Sequence, residues 1–258
     1  MDKVNFISAA IVTYNDGKRT EKICVQLLKY TVKYPLKLYV IDNASSDDTV
    51  ERISKLSGVK LIKNNTNKGF GAAHNQVLNY EIGRYHFVIN PDIEINGDIL
   101  SEMADFMDRN TDIVMSMPKI INQDGTEQKL PKEKPTFTRL FLGRFSKLGG
   151  VFKKTRIGYT WADRDIADTT DIGFCSGCFF CIKGNVFSDL RGFDERYFMY
   201  LEDADLTLRA LRHGRVVMAS QFSVTHLWER ESAKSLKYFL IHADSSFKFL
   251  YKWRKTGK

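Results

Sequence analysis

The ten residues Tyr85-His86-Phe87-Val88-Ile89-Asn90-Pro91-Asp92-Ile93-Glu94 restrict the fold more than any other stretch of the chain. A largely apolar run that reads as a strand meets Pro91, which has no N–H to give to a ladder, so the sheet has to end there. Asp92 then stands at the carboxyl end of a strand. In an open α/β sheet ligands collect at that edge, and a carboxylate placed there can hold a divalent cation against a diphosphate. An ordinary acidic turn after a strand has the same local sequence, so the rest of the chain has to decide.

Before this stretch, strands and helices alternate. Ile7–Thr13 is an unbroken apolar and β-branched run, the pattern of a parallel strand buried on both faces. Tyr14-Asn15-Asp16-Gly17 turns it into a helix over 19–32, with Ile23, Leu27 and Leu28 at helical spacing and Pro35 past its end. A second strand over 36–41 runs into Asp42-Asn43-Ala44-Ser45-Ser46-Asp47-Asp48-Thr49, a polar run suited to capping the next helix. A short third strand over 59–62 is followed by Asn67-Lys68-Gly69-Phe70-Gly71, where two glycines opening a helix would let backbone N–H groups approach a phosphate. Packing of small residues on the sheet is the competing explanation. A dinucleotide fingerprint needs a third glycine where His74 stands, which disfavours a dehydrogenase. A helix over 98–109 and a strand over 113–117 continue the alternation. The class is α/β, a Rossmann-like, mostly parallel central sheet flanked by helices with right-handed crossovers.

Residues 118–171 break the pattern: basic, with Pro131, Pro135, Tyr159 and Trp161, they read either as a flap over a substrate or as a surface excursion. Residues 171–183 return to the sheet, and Ser176-Gly177 interrupts them, as happens where another backbone or a ligand comes close. Next, Leu201, Ala204, Leu208 and Leu211 share a helical face and Gly214 closes the helix, so Glu202, Asp203 and Asp205 crowd its first turn. Dipole compensation and an Asp205–Arg209 pair explain some of these acids. They leave open why Tyr197, Phe198, Met199 and Tyr200 precede them, as the wall of a site would. A carboxylate at a helix start stays ionised and can take a proton from an alcohol. Strands over 216–219 and 222–225 lead to His226.

With 258 residues, 43% hydrophobic and 27% charged, the chain fits one catalytic-sized domain over 1–230 and a basic amphipathic helical tail over 231–258. Apolar runs fall short of a membrane span and Met1–Asn5 lacks a secretory pattern, so a cytoplasmic location is expected. The tail places Leu236, Phe239, Leu240, Ala243, Phe247 and Leu250 at helical spacing among lysines that include Lys255 and Lys258. It fits either an anionic membrane surface, making the protein peripheral at the inner face, or docking on the domain. Cys24, Cys175, Cys178 and Cys181 lack the spacing of a metal cluster and read as buried free thiols. The net charge of +8 suits anionic partners in general.

Ala10-Ile11-Val12-Thr13-Tyr14-Asn15, Asp42-Asn43-Ala44-Ser45, Asn67 to Gly71, Asn90-Pro91-Asp92 and Glu202-Asp203-Ala204-Asp205, in this order, resemble the motifs of family 2 glycosyltransferases of the GT-A fold, and among them bacterial rhamnosyltransferases of cell-surface polysaccharide synthesis. The resemblance implies inverting transfer of a sugar, L-rhamnose from dTDP-rhamnose foremost, onto a saccharide or polyprenyl-diphosphate-linked acceptor. It implies that Thr13, Asn15, Asp42, Asn67, Gly69, Asn75 and Asn90 bind the nucleotide, and that Asp92 and His226 hold Mg2+ or Mn2+. Asp203 is then the general base, with Glu202, Asp205, Trp161, Ser176 and Gly177 positioning acceptor, sugar or loop. Asn90 departs from the family's first metal-motif acid and brings no charge.

UDP-hexose donors remain open. A nucleotidyltransferase of related fold would carry a glycine-rich Arg/Lys loop where Tyr14-Asn15-Asp16-Gly17 stands. A basic polysaccharide- or nucleic-acid-binding module would have no need of Asp203, and no nucleic-acid partner is expected.

Overall fold

A computed structural model of the protein describes residues 5–141, 149–227 and 236–254. The 230/231 boundary, Lys255, Lys258 and all of the Met1–Asn5 start except Asn5 lie outside them.

Strands β1 (Ile7–Thr13), β2 (Leu36–Asp42), β3 (Val59–Lys63), β4 (Tyr85–Ile89), β5 (Ile93–Glu94), β6 (Ile113–Ile121), β7 (Thr170–Asp171), β8 (Phe179–Lys183) and β9 (Arg215–His226) build one sheet. Its order is β3-β2-β1-β4-β8-β6-β9-β5, with β7 attached to β9. Helices α1 (Gly17–Tyr30), α2 (Thr49–Ser54), α3 (Phe70–His74), α4 (Ile99–Arg109), α5 (Phe137–Phe141), α6 (Gly150–Thr160), α7 (Gly184–Asp189), α8 (Glu202–Ala210) and α9 (Leu236–Trp253) surround it. β1 to β4 run parallel, β8 runs against both β4 and β6, and β6 and β9 are parallel again. Carboxyl ends of β1, β2, β4, β6 and β9 therefore share one edge with the amino end of β8. That edge is where the acids converge.

Both faces of the sheet centre are covered, which is why β1 and β4 are apolar without alternation. The polar exceptions are spoken for. Ser8 accepts the Gly83 N–H at 3.0 Å and shares a hydrogen bond with His86 Nδ1 at 2.8 Å, while burial pushes the imidazole down to about 3 and keeps it neutral. The three cysteines near β8 and Cys24 are buried free thiols, and burial raises all four away from the thiolate.

Three expectations change in detail. The strand that was to stop at 117 passes through Pro118 to Ile121, and the two strands expected over 216–225 are one. A register shift between Pro118 and Lys119 pairs them with Ala219 and Ser223, so residues 220–222 bulge where proline offers no N–H. Residues 118–171 are not structureless, since they carry α5, α6 and β7.

α9 is docked rather than loose. Phe249 is fully buried in a cluster with Leu140, Tyr159, Phe174, Tyr197, Leu201, Ala204 and Leu208, a burial that contributes roughly 1.5–3 kcal/mol. Asp205 is the polar centre of this contact. Its side chain is fully buried and meets Arg209 at 2.8 Å, Lys252 at 2.5 Å and the Trp253 indole N–H at 2.9 Å. Lys252 also reaches Asp194 at 2.7 Å, and Ser245 donates to the Met199 carbonyl at 2.7 Å. The expected Asp205–Arg209 pair is present, but Asp205 is enclosed by three cationic or N–H donors and has no side left for an acceptor. The role suggested for it as an acceptor-positioning group is corrected to that of an anchor for α9.

Asp205→Ala leaves Lys252 and Arg209 without their buried counter-charge and is expected to cost about 3–5 kcal/mol. Urea denaturation checks this; an unchanged midpoint would show that apolar contacts alone hold α9.

Candidate active site

The first part of the site is made by the loops after β1 and β2. Asn15 and Ala44 sit at φ 53° and 69°, left-handed positions held by cross-loop hydrogen bonds. The Asn15 N–H donates to Ser45 Oγ at 2.9 Å, and Asn15 Oδ1 accepts the Ser46 N–H at 2.7 Å. Asp42 ends β2 almost fully buried and accepts the Ser45 N–H. Asn43, not singled out from sequence, is the hub: its Nδ2 donates to Asn67 Oδ1 at 2.9 Å and to the Gly69 carbonyl at 3.2 Å, and its Oδ1 accepts from Asn64 Nδ2 and the Lys68 N–H. One buried amide thus folds the loop of residues 64–69 against the end of β2.

Several proposed nucleotide contacts turn out to be committed elsewhere. The Thr13 hydroxyl is buried and accepts from Thr20 at 2.7 Å. Asn75 spends its amide on Phe193 N–H, Phe193 carbonyl and Glu195, fastening a turn of residues 192–195. Gly69 and Phe70 do not offer free N–H groups to a phosphate, because Asn67 Oδ1 takes the first and the Phe198 carbonyl the second, each at 2.9 Å. Gly69 is glycine for closeness instead: at φ 82°, a Cβ would lie 2.1 Å from the Phe198 carbonyl oxygen. Trp161 is likewise no sugar platform. Its ring is buried under Arg164, and its N–H goes to Glu133 at 3.1 Å.

The second part joins two distant segments. β5 runs antiparallel to β9 with Ile93 opposite His226, which sets Asp92 beside the imidazole. His226 Nε2 lies 3.2 Å from Asp92 Oδ2. Gln128 fixes the ring: its Nε2 donates to the His226 carbonyl at 2.8 Å, so its Oε1 faces Nδ1 at 2.9 Å and requires the proton there. The Nε2 lone pair then points at a carboxylate, an arrangement that is repulsive unless the ring takes a second proton or a cation stands between them. Asp92 Oδ1 is buried without a hydrogen-bond partner among the described residues. These donors fit a divalent cation. No third His, Cys, Asp or Glu of the described residues joins them, so the remaining ligands would come from a diphosphate and water, as is usual for Mg2+.

The third part is the start of α8. Tyr200 and Leu201 are both left-handed, at φ 71° and 67°, a strain of about 1–3 kcal/mol each. Asp203 Oδ2 accepts the Gly177 N–H at 2.9 Å and Oδ1 accepts the Ala204 N–H at 2.8 Å. Burial outweighs these bonds and pushes the Asp203 carboxyl up to about 6. Burial and then the neighbouring Asp203 raise Glu202 well above the usual range, and Glu202 Oε2 has no partner among the described residues. Two neighbouring carboxyls here titrate as a pair, with Glu202 the harder of the two to ionise. Gly177 is small because a Cβ there would meet Asp203 at 3.3 Å and Phe70 at 3.4 Å.

Gly177 and Cys178 connect the two acids. While the Gly177 N–H holds Asp203, the Cys178 carbonyl accepts the Asn90 N–H at 2.8 Å, two residues before Asp92. The Cys178 thiol feels the charge of both Asp92 and Asp203. Ser176 lies alongside with its hydroxyl turned to the Cys178 sulfur at 3.5 Å. On the other side of Asp203 opens a cavity of about 290 Å³ lined by Glu202, Asp203, Tyr159, Tyr200, Arg139, Arg156 and His242 among others. A larger cavity of about 680 Å³ lies along β2 and β3 and touches none of these residues. Gln128, Arg139 and Arg156 had no sequence signal, since they stand in a stretch without motif or periodicity, and His242 lies in the amphipathic tail, whose spacing says nothing of a cavity.

The chain matches the model of "Glycosyl transferase family 2" over residues 8–191. It is 24% identical over 255 residues to N-acetylglucosaminyl-diphospho-decaprenol L-rhamnosyltransferase of Mycobacterium tuberculosis, covering 93% of this chain and 82% of that protein. It is 25% identical over 232 residues to the rhamnosyltransferase WbbL of Escherichia coli, covering 84% and 83%. Among solved structures, the mannosyltransferase PcManGT of Pyrobaculum calidifontis, in complex with GDP-Man and Mn2+, superposes with a TM-score of 0.60 at 14% identity, over 87% of this chain and 57% of that one. With the family model spanning β1 to α7, the protein belongs to glycosyl transferase family 2 and is a glycosyltransferase of the GT-A fold.

Proposed function

We propose that this glycosyltransferase moves L-rhamnose from dTDP-rhamnose, with inversion, onto a lipid-diphosphate-linked saccharide in the synthesis of a cell-surface polysaccharide. The observation that carries the mechanism is the placement of Asp203: bound to the Gly177 N–H, raised to about 6 and lining a cavity, while the next residue, Cys178, holds the Asn90 N–H two residues before Asp92. The donor rests on likeness to the two rhamnosyltransferases.

In this reading Asp42, Asn15 and the loop ordered by Asn43 receive the nucleoside. Asp203 takes the proton of the acceptor hydroxyl as its oxygen attacks the anomeric carbon. The bond from that carbon to the diphosphate breaks, and the nucleoside diphosphate leaves with the electron pair. Asp92 and His226 would hold Mg2+ or Mn2+, which supplies positive charge to the departing diphosphate. Burial and the neighbouring Asp203 disfavour the charged form of Glu202, which works against a second negative charge beside the base.

α9 supports a peripheral place on the membrane. Leu236, Phe239, Leu240, Phe247 and Tyr251 are all exposed and recur at spacings of three, four and seven on the face opposite Phe249. Lys237, Lys248 and Arg254 flank them in a chain of net charge +8. An anionic lipid surface satisfies both features, and the lipid-linked acceptor named for the mycobacterial relative would be presented there.

Four outcomes test this. Asp203→Asn is expected to lower turnover by about 10²–10⁴-fold with donor affinity kept; near-normal turnover removes Asp203 from the role of base. Because the carboxylate form is needed, kcat/KM should fall about tenfold per pH unit below about 6, and a profile flat down to pH 4.5 contradicts the assignment. Thermal shifts with dTDP-rhamnose, UDP-glucose, UDP-galactose and GDP-mannose, with and without Mg2+ or Mn2+, should show cation-dependent stabilisation by the first, lost in Asp92→Ala and in His226→Ala; stabilisation by another donor reassigns the sugar. Sedimentation with phosphatidylglycerol vesicles should drop in Leu240→Glu/Phe247→Glu, and a chain that ignores vesicles loses the membrane reading.

A further inference from the structure

The cavity beside Asp203 is lined by groups of opposite charge. The carboxyls of Glu202 and Asp203 share its wall with Arg139 from α5, Arg156 from α6 and His242 of α9. The buried Tyr159 phenol on the same wall is close enough to feel both: burial and then Asp203 hold it in its protonated form, and Arg139 and Arg156 pull the other way.

The cations are positioned, not incidental. Trp161 donates to Glu133 Oε1 at 3.1 Å, Glu133 Oε2 meets Arg139 at 3.5 Å, and Arg139 Nη1 donates to the Lys134 carbonyl at 2.8 Å. Burial of the Trp161 ring thus fixes the guanidinium at the cavity wall. Arg156 has no acid partner among the described residues. The Tyr200 and His242 rings meet at 5.2 Å between centroids, tilted by 50°, which ties this wall to α9.

We infer that this cationic wall is a subsite for the phosphate or diphosphate on the reducing end of the acceptor saccharide. A sugar with its hydroxyl at Asp203 and an anion elsewhere on it matches a cavity lined by both carboxyls and arginines, and the volume of about 290 Å³ admits one sugar ring with its phosphate. Guanidinium groups pair with phosphate oxygens through two parallel N–H bonds. A neutral glycoside would give the two arginines no charge to meet. The inference rests on the transferase reading and deepens it: the enzyme selects acceptors by charge as well as by sugar. The donor diphosphate is handled elsewhere, at Asp92 and His226.

Equilibrium binding to the full chain, with a nucleotide sugar and Mg2+ present, provides the test. The probes are an N-acetylhexosamine 1-diphosphate bearing a short isoprenyl chain, the same diphosphate without the chain, and the neutral alkyl glycoside of the same sugar. The diphosphates are expected to bind at least tenfold more tightly than the glycoside. Arg156→Ala, at an exposed position where folding is safe, and Arg139→Lys, which keeps charge but loses the planar fork, should each erase about tenfold of that preference. Affinity for the nucleotide sugar should not change. A gain from the isoprenyl chain assigns the anion to a lipid-linked acceptor; equal binding of the two diphosphates assigns it to a soluble glycosyl diphosphate. Equal affinity for charged and neutral probes overturns the inference, as does a loss of nucleotide-sugar affinity in Arg156→Ala, which would move the arginines to the donor. A chain that binds no nucleotide sugar at all sinks the transferase reading itself, a distinguishable failure.

Discussion

The site depends on two adjacent residues, Gly177 and Cys178. The Gly177 N–H holds the Asp203 carboxylate and the Cys178 carbonyl receives the Asn90 N–H, so the lead-in to β8 spans the gap between the edge of the sheet that carries Asp92 and the first turn of α8. β8 can do this because it runs against β4: Ile89 pairs with Phe179, and the residues just before Phe179 must pass over the end of β4. A parallel strand at this position would bring its opposite end to the edge. The antiparallel insertion in an otherwise parallel sheet is therefore what sets two acids on either side of one chain segment.

Electrostatics then separates the roles of carboxyls that look alike in sequence. Asp205 is neutralised by Arg209 and Lys252 and serves packing. Glu202 is desolvated, its Oε2 has no hydrogen-bond partner among the described residues, and its carboxyl is raised well above the usual range. Asp203, lying between these extremes with two backbone N–H donors, is raised only to about 6. Three acids in four residues thus differ in how readily they ionise and in what they touch, and the difference comes from what surrounds each one.

Much of the fold was legible because buried parallel strands leave an unmistakable apolar run. Ile7–Thr13 coincides with β1, and the helix expected over 98–109 is α4, with Asp98 as its cap accepting the Ser101 N–H. What stayed hidden was whatever depends on partners remote in sequence. β5 has two residues, too few for any periodicity, yet it places Asp92 beside His226. Asn75 lies next to the glycine loop in sequence, but its amide is consumed by Phe193 and Glu195. Trp161 and Arg139 illustrate the reverse error: the conspicuous aromatic is a buried support, and the arginine it orients, one cation among many in a basic stretch, reaches the cavity. Residue type indicates what a side chain is able to do, whereas its neighbours decide whether it is at liberty to do it.

The clamp on Asp205 carries an implication for how the protein is made. Ribosomal synthesis has to proceed through Lys252 and Trp253 before that buried carboxylate acquires its cross-chain counter-ion and its indole donor. Until then the segment bearing Asp203 lacks half of its support, and His226 too has emerged only late relative to Asp92. A nascent polypeptide therefore cannot close this clamp until residue 253 has left the ribosome, however early the strands around Asp92 have paired.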